Sequence, residues 1–316
     1  MVSLPPRLAT LIRIAAVVVV VALLWLFLRG LDWDKLGHAL RGAEIWPLFV
    51  SAALYFACLF GKALSWRIML EPHNVVPMGR LYRYTIAAFA ASALTPARAG
   101  ELLRVWALKR RDGVPVAHST AVAVAEKLLD GVTLLIVCAP VPWLVPGLPG
   151  WVTNAMLVCG SIAFGVMLAL FIAVGRVEAR EPRSWLGRFI AGMHVVRDPR
   201  RLALALVTLL FVWAADLIAV MLVLHAVGIE IPIAGGLFIL FSFNLAIAVP
   251  STPAQIGALQ VGALAATSLM NIPDEPALAF ALLYQAMQVG PLLIVGLLLE
   301  LDLVRGRMPA GPPPAS

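Results

Sequence analysis

Charge is scarce in this chain. Of its 316 residues only 13% are Asp, Glu, Lys or Arg, against 62% hydrophobic, and no polar stretch is long enough to fold as a soluble domain. That balance excludes a disordered chain and an ordinary water-soluble enzyme alike. Cysteine is nearly missing. Cys58, Cys138 and Cys159 fall within apolar runs and lack metal-type spacing, so they read as small packing residues. Five histidines are scattered with no H-x-x-x-H, and there is no C-x-x-C, no G-x-S-x-G and no nucleotide-binding loop. No metal, no cofactor and no enzymatic activity are therefore expected, and ATP is not expected to be used directly.

What the chain has in abundance is long apolar runs. A spanning helix needs about 20 apolar residues, because ~30 Å of hydrocarbon is crossed at ~1.5 Å per residue. Six stretches qualify: 11–28, 45–69, 116–139, 151–175, 202–227 and 277–299. An all-α polytopic membrane protein is expected, one domain over residues 1–316 with a tail at 300–316. Arg7 and Arg13 precede the first run, but Arg29-Gly30-Leu31-Asp32 follows it instead of a small-x-small cleavage site, so an uncleaved helix is expected. Twenty of the 24 basic residues can lie on one side of the membrane in a single topology, while the loops near 140–150, 228–230 and 271–276 have none. By the positive-inside rule both termini are cytoplasmic. The net charge of +7 then needs no nucleic-acid partner. Trp25, Trp33, Trp46, Trp143 and Trp151 fall at span ends and read as an interfacial belt.

The chain also says one thing twice. Thr95-Pro96-Ala97-Arg98-Ala99-Gly100 returns as Thr252-Pro253-Ala254-Gln255-Ile256-Gly257. Pro115 follows the first threonine by 20 residues and Pro273 the second by 21; 19 residues beyond each proline stands Leu-Leu-Ile-Val, at 134–137 and 292–295. A register kept over that length is an internal duplication. Repeat one covers about 11–139 and repeat two about 151–299, each with three full crossings. An odd number turns the second repeat upside down relative to the first. The repeated motif lies between the second and third crossing of each half and reads as the tip of a re-entrant hairpin, broken at Pro96 and Gly100 or at Pro253 and Gly257. Six full spans plus two hairpins are thus expected, or up to eight crossing helices if the hairpin arms, of which 231–249 is the longest, pass right through. Non-helical backbone at that depth is tolerated only where protein or water surrounds it, so the tips should line a cavity. Corresponding broken segments in two halves point to a transporter with a central site.

Charged groups inside a bilayer cost roughly 2.5–3.5 kcal/mol each on insertion scales, so their retention needs a reason. Glu126 and Asp130 are four residues apart on one helix face, and Lys127 points about 100° away from Glu126. Asp216 sits mid-span, and the first hairpin supplies Arg98, Glu101 and Arg104. One reading is a polar cavity in which Arg98, Arg104 and Lys127 hold a lipid phosphate, with Glu101 beside them, while Glu126, Asp130 and Asp216 balance charge or shuttle protons. The other is an internal salt-bridge network that pins hairpin to helix. The second half is chemically different: Gln255, Gln260, Gln285 and Gln288, with Asn244 and Tyr284, offer neutral hydrogen bonding, as ligand contacts or as interhelical glue.

Residues 96–104, together with Glu126-Lys127-Leu128-Leu129-Asp130, resemble the G-E-x-x-R and E-[KR]-x-x-D pattern of the flippase-like family. That family comprises the transmembrane region of lysylphosphatidylglycerol synthases and its stand-alone relatives, some associated with hopanoid biosynthesis. Residues 250–257 resemble its second signature, P-x-x-P-G-x-x-G, with Ala254 in place of the usual glycine. Gln260 falls where many members have Glu or Gln, and Tyr284-Gln285 where many have Tyr-His or Tyr-Arg. The resemblance implies a polytopic inner-membrane protein that moves lipids between leaflets. Aminoacyl transfer, which resides in a separate catalytic domain, is not implied. A non-transporting scaffold or accessory subunit of lipid biosynthesis is the alternative. The expected partners are membrane lipids, with a homo-oligomer or lipid-biosynthesis enzymes as further possibilities.

Overall fold

The computed structural model describes residues 34, 41–71, 75–95, 100–145, 148–176, 189, 193, 198–248, 255 and 257–305. The expected first span (11–28), Trp25, Trp33, Arg98 and the tip prolines Pro96 and Pro253 lie outside these residues. All the described elements are helical. In chain order they are α1 (Ile45–Leu70), α2 (Met78–Leu94), α3 (Glu101–Asp112), α4 (Val116–Cys138), α5 (Val141–Leu144), α6 (Gly150–Arg176), α7 (Pro199–Ala226), α8 (Ile233–Ala248), α9 (Ala258–Leu269) and α10 (Asp274–Arg305).

Of the predicted crossings, α1, α7 and residues 274–299 of α10 are long and apolar enough to span a bilayer. With 23 residues α4 is long enough, but Glu126, Lys127 and Asp130 interrupt its apolar character. The hairpin arms are short. At 16 residues α8 reaches roughly 24 Å at ~1.5 Å per residue, less than the ~30 Å of hydrocarbon.

The helix ends follow local chemistry. Asp198 caps α7, its carboxylate accepting from the N–H groups of Arg200 and Arg201 at 3.0 and 3.2 Å, with Pro199 at the first helical position. Helix α3 begins at Glu101 and ends in Lys109, Arg110 and Arg111 before Gly113 at φ 70°, so its charges complement the helix dipole.

The antiparallel pair α1 and α7 forms the axis of the bundle. It is tied at both ends and in the middle. The Glu44 N–H donates to the Ala226 carbonyl (3.0 Å), Arg201 Nη1 donates to the Ile68 carbonyl (3.2 Å), and Cys58 Sγ meets the Val212 carbonyl (3.4 Å). A methyl group at Gly61 would lie 2.5 Å from Val212, so that crossing requires the missing side chain. Trp46, Trp143 and Trp151 are exposed at the bundle end that holds Glu44 and Ala226, as an interfacial belt requires. Arg67, Arg80, Lys109, Arg110 and Arg201 mark the opposite, basic end.

Packing divides into two large blocks and a smaller third, in which Leu59 of α1 meets Ile86 and Leu94 of α2 and Leu292 of α10. One large block gathers the C-terminal half of α1 with α2, α3, α4 and the start of α7 around Trp66, Tyr84 and Leu108. The other gathers the second half of α7 with α8, α9 and α10, where Phe243 stacks on Phe280 and Tyr284 at 5.6 and 5.2 Å. Because lipid tails are as apolar as leucine, such blocks are held by close packing and polar contacts more than by the hydrophobic effect.

The glycines of the two repeated motifs serve different ends. At Gly100 the backbone is ordinary (φ −60°), but a Cβ would lie 2.1 Å from the Ser92 nitrogen and 2.7 Å from the Ala88 carbonyl oxygen. There α3 starts against the backbone of α2. Gly257 has open space around it but φ +88°, and its N–H donates to Gln260 Oε1 at 2.8 Å. Gly100→Ala must separate two backbones, whereas Gly257→Ala adopts a disfavoured dihedral at about 1–2 kcal/mol. Thermal unfolding of detergent-solubilised protein should therefore show a clearly larger loss for Gly100→Ala, and equal losses would contradict this division of roles.

Candidate functional site

Half-way along the bundle the described residues that flank the two repeated motifs meet the middles of the long helices around one cavity. Its walls are Tyr55, Cys58, Leu59 and Lys62 of α1; Phe89, Ser92 and Ala93 of α2; Glu101 of α3; Lys127 and Asp130 of α4; and Val212, Trp213 and Asp216 of α7. The second half adds Phe243, Asn244 and Ile247 of α8, Gln255, Leu259 of α9, and Tyr284, Gln288, Val289 and Leu292 of α10. The lining is therefore amphipathic: five charged side chains among aromatic and aliphatic ones.

Helix α4 organises the charges. Lys127 Nζ pairs with Glu101 Oε1 at 2.7 Å, and Asp130 pairs with Lys62 of α1. The Lys62 ammonium also lies 5.5 Å from the ring centroid of Trp213, whose indole N–H donates to the Asp130 carbonyl (3.2 Å) and to Thr133 Oγ1 (3.1 Å). Asp216 accepts from Tyr284 Oη at 2.7 Å and from Gln288 Nε2 at 3.3 Å. One carboxylate in the cavity is thus held by neutral donors while the other two face ammonium groups.

Behind the cavity lies a fourth carboxylate. Glu126 and Arg104 pair at 2.7 Å with side chains only 3% and 1% exposed, and the Trp66 indole N–H donates to the same Glu126 oxygen. The Arg104 guanidinium stacks 3.6 Å over the Trp66 ring, while its Nε and Nη1 have no hydrogen-bond partner among the described residues. Ring stacking substitutes in part for those bonds.

The structure brings together Glu101, Lys127, Asp130, Asp216, Gln255 and Gln288 at the cavity. It places Arg104 and Glu126 in the buried pair behind it, and Gln260 bonded to Gln285 at 2.8 Å, a link from α9 to α10 outside the lining. Arg98 lies outside the described residues. Lys62, Trp66 and Trp213 also serve the site although the sequence does not single them out; Lys62 stands close in sequence to the basic residues Arg67, Arg80 and Arg83 but falls inside α1. The signal was present: eight residues before the end of α1 is roughly 12 Å at ~1.5 Å per residue, deep for a lysine reaching the interface.

Breaking a buried pair from one side leaves an uncompensated charge, typically about 3–5 kcal/mol. Arg104→Gln and Glu126→Gln should each lower abundance and melting temperature sharply, and the double variant should recover much of the loss. Single variants that melt like wild type would mean that the pair contributes nothing to holding α3 on α4.

The sequence was also compared with known proteins. No curated protein gives a match. The model of the family described as "Lysylphosphatidylglycerol synthase TM region" matches residues 13–296, which include both hairpin motifs and every wall of the cavity. The chain belongs to the lysylphosphatidylglycerol synthase TM-region family.

Proposed function

We propose that this protein is a lipid flippase of the inner membrane, moving an amphipathic, phosphate-bearing lipid between the leaflets. The observation that carries the reading is the cavity at mid-depth. Helices α2, α3, α8 and α9, which flank the two repeated motifs, all contribute to its walls, and a break in the helix at that depth is tolerated only beside protein or water. Its lining combines the ammonium groups of Lys62 and Lys127, three carboxylates and neutral amides with aromatic and aliphatic side chains, a mixture that suits a molecule with a charged head and apolar tails. A transporter, not an enzyme, is what such a lining supports.

The proposed scaffold is an inverted repeat. Residues 11–28, α1, the α2–α3 hairpin and α4 correspond to α6, α7, the α8–α9 hairpin and α10. The packing supports this exchange: α1 on α2 has its counterpart in α7 on α8, α1 on α4 in α7 on α10, α4 on α7 in α10 on α1, and α2 on α10 in α8 on α4. Under this correspondence the cations stay in the first half and neutral amides occupy the second. The basic end is placed in the cytoplasm by the positive-inside rule.

Purified protein in vesicles should move a fluorescent phospholipid across the bilayer faster than empty vesicles do. Lys127→Gln should slow transport about tenfold, a loss of roughly 1.4 kcal/mol, with melting temperature unchanged because a partly exposed pair contributes little to stability. Lys127→Arg should retain most of the activity. A wild-type rate equal to that of empty vesicles, for several candidate lipids, would leave the scaffold reading as the better account.

Orientation has its own check. In a cysteine-free background, Asp274→Cys should react with an impermeant thiol reagent in intact cells and Lys109→Cys only after permeabilisation. Equal reaction at both sites from outside would rule out the proposed topology.

A further inference from the structure

One ion pair is exposed at a depth where hydrocarbon surrounds a spanning helix. Lys127 stands near the middle of α4, and its side chain is 44% exposed, that of its partner Glu101 20%. Both line the cavity. Their neighbours face outward: Val124, one turn before Lys127, is 37% exposed, Leu102, next to Glu101, 69%, and Trp106, one turn further along α3, 50%. None of these three lines the cavity. The pair therefore stands on the border between the cavity and the outer face. The other pairs differ. Lys62 and Asp130 are 13% and 17% exposed, and Arg104 and Glu126 are buried. A half-exposed ammonium is unfavourable against hydrocarbon, so its open side must meet water or a head group.

We propose that the cavity opens sideways into the bilayer between α3 and α4, with the Glu101–Lys127 pair as the sill of the opening. Through it passes the phosphate head group of a glycerophospholipid, while the acyl chains stay in the hydrocarbon alongside Leu102 and Val124. This rests on the flippase reading and adds the route and the class of lipid. The chemistry is an exchange of partners: a phosphate oxygen replaces the Glu101 carboxylate on Lys127, one anion for another, so the ammonium is never left bare. The outer face of α3 is graded to suit. Arg110 lies 5.1 Å over the Trp106 ring towards the basic end, and Leu102 lies towards the tip. A head group would meet Arg110 beside Trp106 first and Lys127 second, with its tails always on the apolar side.

The test uses the full chain in phospholipid vesicles containing a trace of phosphatidylglycerol with a diazirine midway along one acyl chain. After irradiation, labelling around Leu102, Trp106 and Val124 should exceed that at Ile136, an exposed residue of the same helix away from the sill, several-fold. The excess should vanish in Lys127→Gln. Even labelling of all outward residues would overturn the opening. In parallel, Val124→Trp should slow transport at least fivefold, and Ile136→Trp should not; where Val124→Trp melts early, the labelling of the wild type decides alone. Normal transport by Val124→Trp with even labelling would refute the sideways route and leave the flippase reading standing. Concentrated labelling without transport of any lipid would keep the opening as a lipid site and remove the flippase reading.

Discussion

The arrangement depends on one constraint: no charge at mid-depth stands alone in a medium of low dielectric. Three residues within little more than one turn of α4 meet it with three different partners. Glu126 and Asp130, on one face, reach Arg104 and Lys62, while Lys127, rotated about 100°, reaches Glu101. Because the partners come from α1 and α3, satisfying the charges also fixes the first hairpin against its two neighbours. The E-K-x-x-D spacing is therefore a fastening before it is a binding motif. Of the two pairs it leaves at the cavity, Glu101–Lys127 is the more open, which is why partner exchange is proposed for that pair.

The two halves reach similar shapes by different physics. In the first, the hairpin is drawn close by a glycine that lets backbones touch and is locked by buried charge. In the second, Gly257 supplies a turn at positive φ, Gln260 closes it, and the hairpin is bound to α10 by the hydrogen bond from Gln260 Nε2 to Gln285 Oε1 and by stacked aromatic rings. Removing charge from the second half avoids further desolvation where the first half already carries three carboxylates and three cations near the centre. It also makes the cavity polar on one side and neutral on the other, with Asp216 as the exception, held by Tyr284 and Gln288.

Much of this was legible in the sequence. Length and hydropathy set the long helices α1, α7 and α10. The face shared by Glu126 and Asp130 followed from helical spacing alone. Partner choice did not, because spacing within a helix says nothing of which neighbour it meets. Arg104 and Glu101 sit one turn apart on α3, yet one ends 1% exposed under Trp66 and the other at the cavity edge. Lys62 was hidden by its own neighbourhood: close to Arg67, Arg80 and Arg83 it counts as loop charge until α1 is seen to run on past it.

The same reasoning separates residues that hold the site from residues that serve it. Arg104 has the chemistry of a phosphate ligand, but its guanidinium is sealed between Trp66 and Glu126, and a buried pair is expensive to open. Lys127 is the weaker phosphate ligand by geometry, a point charge without a planar fork. Being partly exposed, it loses little when one anion replaces another. In a transporter the second property matters more, since a ligand must leave as readily as it arrives. On the proposed reading the strong cation thus holds the fold in a buried pair, and the exchangeable one stands at the cavity.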